Sequence, residues 1–226
     1  KLGLMHAHSR ETQATMTPAK SLAFLREGNQ RFLNNLRVNR NLLRQVNETK
    51  AGQFPFAVIL SCIDSRTSAE LIFDQGLGDV ISIRVAGNVL NDDVIGSMEF
   101  ACAVAGSKLI LVLGHTGCGA VQCACRGIRF GSLAGIVEKL RPSLESVQAE
   151  DPGWSEERLV AEVAHDNARR QMYEILDRSP ALHDLYAQGR IGLAAAIYSV
   201  ESGMVTFFDE LLDDTEPAVE GQPASA

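Results

Sequence analysis

Two apolar runs, Phe56-Ala57-Val58-Ile59-Leu60 and Leu109-Ile110-Leu111-Val112-Leu113, stand between polar or glycine-bearing segments. Runs of that length read as strands buried on both faces of a sheet. Each leads into a tight loop with helix-start signals beyond it: Ser61-Cys62-Ile63-Asp64-Ser65-Arg66 after the first, Gly114-His115-Thr116-Gly117-Cys118 after the second. Residues 80–85 read as a further strand closing on Ala86-Gly87-Asn88, and 191–200 as another. Ser202-Gly203 is a hairpin turn signal, with a short edge strand at 204–208 beyond it.

Helical periodicity fills the intervals. Thr17-Pro18 supplies an N-cap with proline at the first helical position. Leu22, Leu25, Phe32, Leu33 and Leu36 then carry an apolar stripe. Further helices are expected over 41–50, 68–73, 92–105 and 118–126, with Asp92-Asp93 favoured by the helix dipole. Residues 133–147 should form a helix broken at Pro142. Ser155 opens a long amphipathic helix to Arg178, and Ser179-Pro180 a last short one. Strands alternating with helices predict an α/β fold: a mostly parallel central sheet of about four parallel strands plus an antiparallel edge strand, flanked by helices. Residues 1–16 are expected to be a flexible tail, 17–50 an N-terminal helical arm, 51–212 the α/β domain and 213–226 a disordered tail. The arm's stripe must be covered, by its own domain or by a second subunit, and the pattern alone leaves both open.

The 226 residues suffice for one domain with a sizeable core. A net charge of −7 without any Lys/Arg block argues against nucleic-acid or anionic-membrane partners. No apolar run approaches the roughly 20 residues needed to span a bilayer. Five cysteines, Cys62, Cys102, Cys118, Cys123 and Cys125, favour ligand or buried thiols in a reducing compartment. A cytoplasmic location is therefore expected. The chain opens on Lys1, which keeps a periplasmic location after signal-peptide removal as the alternative.

Chemistry in parallel sheets gathers at the carboxyl ends of strands, where Cys62, His115 and Cys118 arrive. His115-x-x-Cys118 is a spacing that a loop entering a helix can fold around one ion. Two thiolates and an imidazole suit Zn²⁺, and three protein ligands leave a fourth position open. Taken alone the spacing is weak, since a buried cysteine on a strand is usually packing. Asp64 and Arg66 strengthen it, because alternation puts them on the side of Cys62 if strand geometry persists. Arg66 would hold Asp64 bidentately and keep it ionised and off the metal, leaving Asp64 to accept a hydrogen bond from metal-bound water. The plainer alternative is a capping aspartate with a surface salt bridge.

Cys62-x-Asp64-x-Arg66 together with His115-x-x-Cys118 resembles the signature of the β-class carbonic anhydrases. The resemblance extends through Gly28-Asn29-x-Arg31-Phe32, Arg84-x-Ala86-Gly87-Asn88 and Glu99, and so over roughly residues 17–210. It implies zinc held by Cys62, His115 and Cys118, with Asp64 joining them in a closed state. It also implies an Asp64–Arg66 dyad orienting the water, and reversible hydration of CO₂ to bicarbonate and a proton by zinc-hydroxide attack. Gln53 would hydrogen-bond substrate oxygen. Gly117, Val85, Ile81 and Phe100 would line the substrate pocket, the last two where Phe and Tyr are usual in the family. A homodimer is implied as the minimal unit, often paired into tetramers, with the helical arm wrapped on the partner. Ile63 departs from the usual serine, a packing change. Arg84 and Tyr198 match an inhibitory bicarbonate site found in some members, but Ile59 stands at its tryptophan, so that site should be absent or altered.

Rival readings remain. Hydrolysis of carbonyl sulfide or carbon disulfide uses the same scaffold. A zinc-stabilised interaction module would close the tetrahedron permanently with Asp64. A dinucleotide-binding domain fails for want of G-x-G-x-x-G after the first strand. His6, His8, His165 and His183 are expected to be incidental or surface residues, and Cys102, Cys123 and Cys125 inert thiols.

Overall fold

The chain forms five strands, β1 (Ala57–Ser61), β2 (Val80–Arg84), β3 (Leu109–His115), β4 (Gly192–Tyr198) and β5 (Val205–Leu211), in a computed structural model that describes residues 7–212. They make one sheet in the order β2-β1-β3-β4-β5. The pairs β1–β2, β1–β3 and β3–β4 are parallel, and β4–β5 is antiparallel. This is the predicted arrangement of four parallel strands and an antiparallel edge. Around it lie α1 (Arg10–Ala14), α2 (Pro18–Leu33), α3 (Leu42–Thr49), α4 (Ala69–Ile72), α5 (Asp92–Glu99), α6 (Gly119–Cys125), α7 (Leu133–Glu150), α8 (Glu156–Arg178) and α9 (Pro180–Ala187).

Every residue of β1 and β3 is buried, and side-chain alternation sorts them onto two faces. Val58, Leu60, Ile110 and Val112 pack with Met98, Met172, Ile175 and Leu182 on one face. Ala57, Ile59, Leu109 and Leu111 pack with Leu22, Leu25, Ile72 and Phe73 on the other. The chain leaves β1 toward β2 on one side and returns to β3 on the other. The carboxyl ends of β1 and β3 therefore flank a topological switch point, where open sheets leave a crevice.

Several boundaries differ from the sequence reading. Residues 7–16 are ordered, not a flexible tail: Ser9 caps α1, Met16 is buried, and Gln13 donates to the carbonyls of Pro55 and Ala105 at 2.7 and 2.8 Å. That segment looked polar because its anchor is an amide side chain, which carries no periodicity signal. The arm divides. The stripe of α2 is buried on its own domain through Leu22 and Leu25, each worth about 1.5–3 kcal/mol. Helix α3 instead leaves its apolar residues Leu42, Leu43 and Val46 exposed, Leu43 at 78%. Gly28 is what lets α2 come so close, since a Cβ there would lie 1.8 Å from the Phe73 carbonyl oxygen. Helix α7 runs unbroken through Pro142, held on both sides of it by buried Leu140, Ser143 and Val147; tertiary packing outweighs the local penalty. The helix expected over 92–105 changes to a π turn at Phe100–Val104. Strand β3 continues two residues further than expected, to His115, because Gly114 and His115 pair with Ile197 and Tyr198 of β4. His6 and residues 213–226 lie outside the described residues.

The loop between α2 and α3 is fastened by a buried charge. The Asp74 carboxylate accepts from Arg31 Nε at 2.6 Å, from Arg40 Nη1 at 2.5 Å and from the Val38 amide at 3.2 Å. Burial opposes its ionisation, but the two guanidinium groups prevail and hold its pKa below the ordinary value. Its stabilising contribution is thus complete above the unfolded carboxylate value of 3.8 and is lost as pH falls through the lower folded value. Asp74→Asn should cost about 3–5 kcal/mol at neutral pH, with the gap to wild type closing in strong acid. Urea unfolding followed by circular dichroism at pH 7 and at pH 3 checks both parts.

Candidate metal centre

Cys62 follows β1 directly, His115 ends β3, and Cys118 caps the N-terminus of α6. Because Ser61 lies opposite Leu113 in the β1–β3 register, Cys62 emerges beside the turn that carries the other two. All three are buried, and their Sγ, Nε2 or Nδ1 and Sγ atoms lie within 4.8 Å of one another. The two sulfurs are 3.9 Å apart. Among the described residues this is the one group of three or more potential ligands close enough to share an ion.

The local chemistry fits a metal. His115 donates through Nδ1 to the Thr116 carbonyl at 3.0 Å, which leaves Nε2 buried and without a partner among the described residues. That is the pattern of a ligating histidine whose other nitrogen is fixed by the protein. Two thiolates about 2.3 Å from one ion in tetrahedral geometry would stand about 3.8 Å apart, close to the spacing seen. Backbone amides point at both sulfurs. Gly87 N lies 3.4 Å from Cys62 Sγ. The Cys62 thiol is pushed well below its ordinary pKa, first by the hydrogen bond from Cys118 and, against the opposing effect of burial, also by His115 and the amides of Asp64 and Gly87. Cys118 is pushed up, by holding the shared proton toward Cys62 and by burial. The amides of Val121 and Ala120 at the start of α6 act the other way, favouring its thiolate.

Asp64 stands apart from the cluster. Arg66 grips it with Nε to Oδ1 at 2.9 Å and Nη2 to Oδ2 at 2.8 Å, and the Arg66 amide adds a third donor at 3.0 Å. These bonds hold the carboxyl below the usual carboxylate range, against a smaller opposing effect of burial. The loop itself is laced to its surroundings. Arg84 donates to the Cys62 carbonyl at 3.1 Å and to the Asp64 carbonyl at 2.6 Å, and the Thr67 hydroxyl lies within 3.0 Å of both carbonyls. Arg84 is thereby committed to the loop, while Ile59 and Tyr198 are packed in the core beneath the sheet.

The remaining residues singled out in the sequence divide into two groups. Val85, whose amide bonds Ser61, and Gly117, at φ +63° between His115 and Cys118, adjoin the cluster. Gln53, Ile81 and Phe100 line a separate depression of about 670 Å³. Ile81 lies opposite Val58, four residues before Cys62 and hence roughly 13 Å back along the strand. His8 packs edge-on against Phe56, and His165 is half-buried in a 3.7 Å stack on Phe208 instead of standing free at the surface. Cys102 is buried, its thiol pushed up to about 12 by desolvation.

The carbonic anhydrase family model matches residues 57–205, the segment that contains the whole cluster. The chain belongs to the carbonic anhydrase family. Its family reaction is the hydration of CO₂. Carbonic anhydrase 2 of Mycobacterium tuberculosis is 37% identical over 166 residues, covering 71% of this chain and 78% of that one. A β-carbonic anhydrase of Aspergillus fumigatus has the same fold with a TM-score of 0.68 and 26% identity, over 84% of this chain and 90% of that one. One of two tetrameric β-carbonic anhydrases of the ascomycete Sordaria macrospora shares the fold at a TM-score of 0.67 and 22% identity, over 84% and 94% of the two chains. The carbonic anhydrase fold here is the β-class one, with its cluster at the switch point.

Two full hydrophobic layers flank the sheet, so the fold is expected to stand without an ion. Treating the protein with a chelator should leave the far-ultraviolet circular dichroism unchanged and unfolding cooperative. Collapse of the helical signal on chelation would instead mark a structural centre.

Proposed function

We propose that Cys62, His115 and Cys118 hold a zinc ion and that this chain hydrates CO₂ reversibly to bicarbonate and a proton. The observation that carries the reading is the buried, unpartnered Nε2 of His115 facing two sulfurs that stand 3.9 Å apart. When bound, zinc supplies the Lewis acidity that makes hydroxide available near neutral pH; the worked case for that chemistry is itself a carbonic anhydrase, of the three-histidine kind.

The chain's own residues do the rest. Arg66 occupies both oxygens of Asp64, so the carboxylate is kept off the ligand cluster and ionised. In that state it is an acceptor only, able to take a hydrogen bond from the nucleophile and orient its lone pair toward CO₂. Arg84 and Thr67 fix the carbonyls on either side of Ile63 and so set where the Asp64 side chain starts.

A second copy of the chain fits the two groups of pocket residues. Gln53, Ile81 and Phe100 lie too far along the sheet to serve their own centre, and Phe100 is 51% exposed. In a homodimer they would close the partner's crevice, the Gln53 amide donating to substrate oxygen. The exposed face of α3 supports the same assembly, as does the tetrameric state of the Sordaria protein.

Stopped-flow CO₂ hydration on zinc-quantified protein is the decisive test. The wild type should carry one zinc per chain and turn over. Asp64→Asn should keep its zinc and lose roughly 10²-fold or more in kcat/KM. Full zinc occupancy with no hydration at any pH would refute the reading and turn attention to carbonyl sulfide. For the assembly, Leu43→Glu with Val46→Glu should shift sedimentation equilibrium toward the single-chain mass of 24.5 kDa, while wild type sediments as a dimer or larger.

A further inference from the structure

The amide that donates to Cys62 is itself held from behind. Gly87 reaches Cys62 Sγ from a left-handed backbone, φ +67°, and a Cβ at that position would meet Leu140 at 3.2 Å and Ala120 at 3.3 Å. Its carbonyl accepts a 2.9 Å hydrogen bond from Nδ2 of Asn167, on α8. Both ends of the glycine are therefore tied, one to the sulfur and one to the helix, and its two torsions have little freedom left.

Asn167 is fully buried, and its Oδ1 has no partner among the described residues. A buried carbonyl oxygen left unpaired costs about 1–3 kcal/mol, which a leucine of similar size would avoid. Packing alone does not explain an amide there; the bond from Nδ2 does. One turn later on the same helix, the Gln171 Oε1 accepts from the Leu90 amide at 2.7 Å, so α8 grips the segment after β2 at two points. The same helix packs against β3 and α6, the elements that place His115 and Cys118. One long helix thus indexes all three side chains, two through packing and the third through Gly87.

We propose that Asn167 is a positioning residue of the metal centre: by holding the Gly87 carbonyl it keeps the Gly87 N–H aimed at Cys62 Sγ, and so sets the placement and electron-donating strength of that thiolate. The proposal rests on Cys62 being a metal ligand. An N–H···S bond withdraws charge from a thiolate, and groups that orient ligands in this way typically contribute 10–100-fold to metal affinity.

The test uses full-length wild type, Asn167→Leu, and Gln171→Leu as the matched loss of a buried α8 amide. Zinc affinity is read by chelator competition, and cobalt-substituted protein by its thiolate-to-metal charge-transfer absorption. Asn167→Leu should bind zinc about 10-fold more weakly and move the band to longer wavelength, as a less hydrogen-bonded thiolate donates more charge. Gln171→Leu should leave both at wild-type values even if it lowers the melting temperature as much. Unchanged affinity and spectrum in Asn167→Leu, or equal changes in Gln171→Leu, would overturn the proposal. Should Asn167→Leu not fold, wild type loaded with an NMR-active cadmium isotope decides: the Gly87 amide proton must show scalar coupling to the metal, and its absence with cadmium bound refutes the arrangement. A wild type that binds neither zinc nor cobalt would defeat the ligand assignment itself, a different failure.

Discussion

The register between β1 and β3 is the constraint on which the site depends. Ser61 opposite Leu113 brings the residue after one strand beside the last two of the other. A slip of one residue would turn every β1 side chain to the opposite face, exchanging Val58 and Leu60 with Ala57 and Ile59 between two layers already filled to near-zero exposure. The two-sided core therefore enforces the register far more strongly than any contact at the site. The Cys62–His115–Cys118 cluster inherits its precision from apolar packing beneath it.

Above that packing, the polar groups answer one another in order of distance from the cluster. Backbone amides face the sulfurs, Thr116 fixes the imidazole, and Arg84 and Thr67 fix the loop that presents Asp64. These partners come from separate segments: Arg84 from the end of β2, Gly87 from the turn after it, Thr116 from the turn after β3, and Thr67 from the loop before α4. The arrangement can form only once the sheet is assembled. Burying two thiols and an imidazole nitrogen that has no partner among the described residues is unfavourable on its own, a local deficit that a cation would remove.

What the sequence disclosed follows the same logic. Five-residue apolar runs between polar segments announce buried parallel strands, and motifs at strand ends announce the site, because both signals are local. Pro142 misled for the complementary reason: its penalty is local, whereas the buried face of α7 on both sides of it is not. The order of residues 7–16 rests on Gln13 reaching carbonyls at Pro55 and Ala105, contacts far apart in the chain with no periodic trace. Asn167 was equally invisible, one amide among the polar residues of a long amphipathic helix. The separation of Ile81 from Cys62 could have been anticipated, since strand pairing converts residue offset into distance; what was missing was the register.

The difference between a catalytic and a structural centre comes down to where one carboxylate goes. Asp64 follows Cys62 by two residues and could in principle supply a fourth ligand. A closed tetrahedron would have no place for a nucleophile. The guanidinium of Arg66 competes for the same oxygens, and it does so bidentately while being half exposed and fully charged. For Asp64 to join the cluster it would have to break both of those bonds and that from the Arg66 amide. It would also have to leave a loop whose flanking carbonyls are held by Arg84 and Thr67. Three bonds to the carboxylate, with two contacts each to the Cys62 and Asp64 carbonyls, hold the side chain away from the two sulfurs and the imidazole in this structure. Whether a fourth position beside the three side chains is left free is thus governed by the Arg66 pairing, which engages both oxygens of the one further carboxylate in the loop.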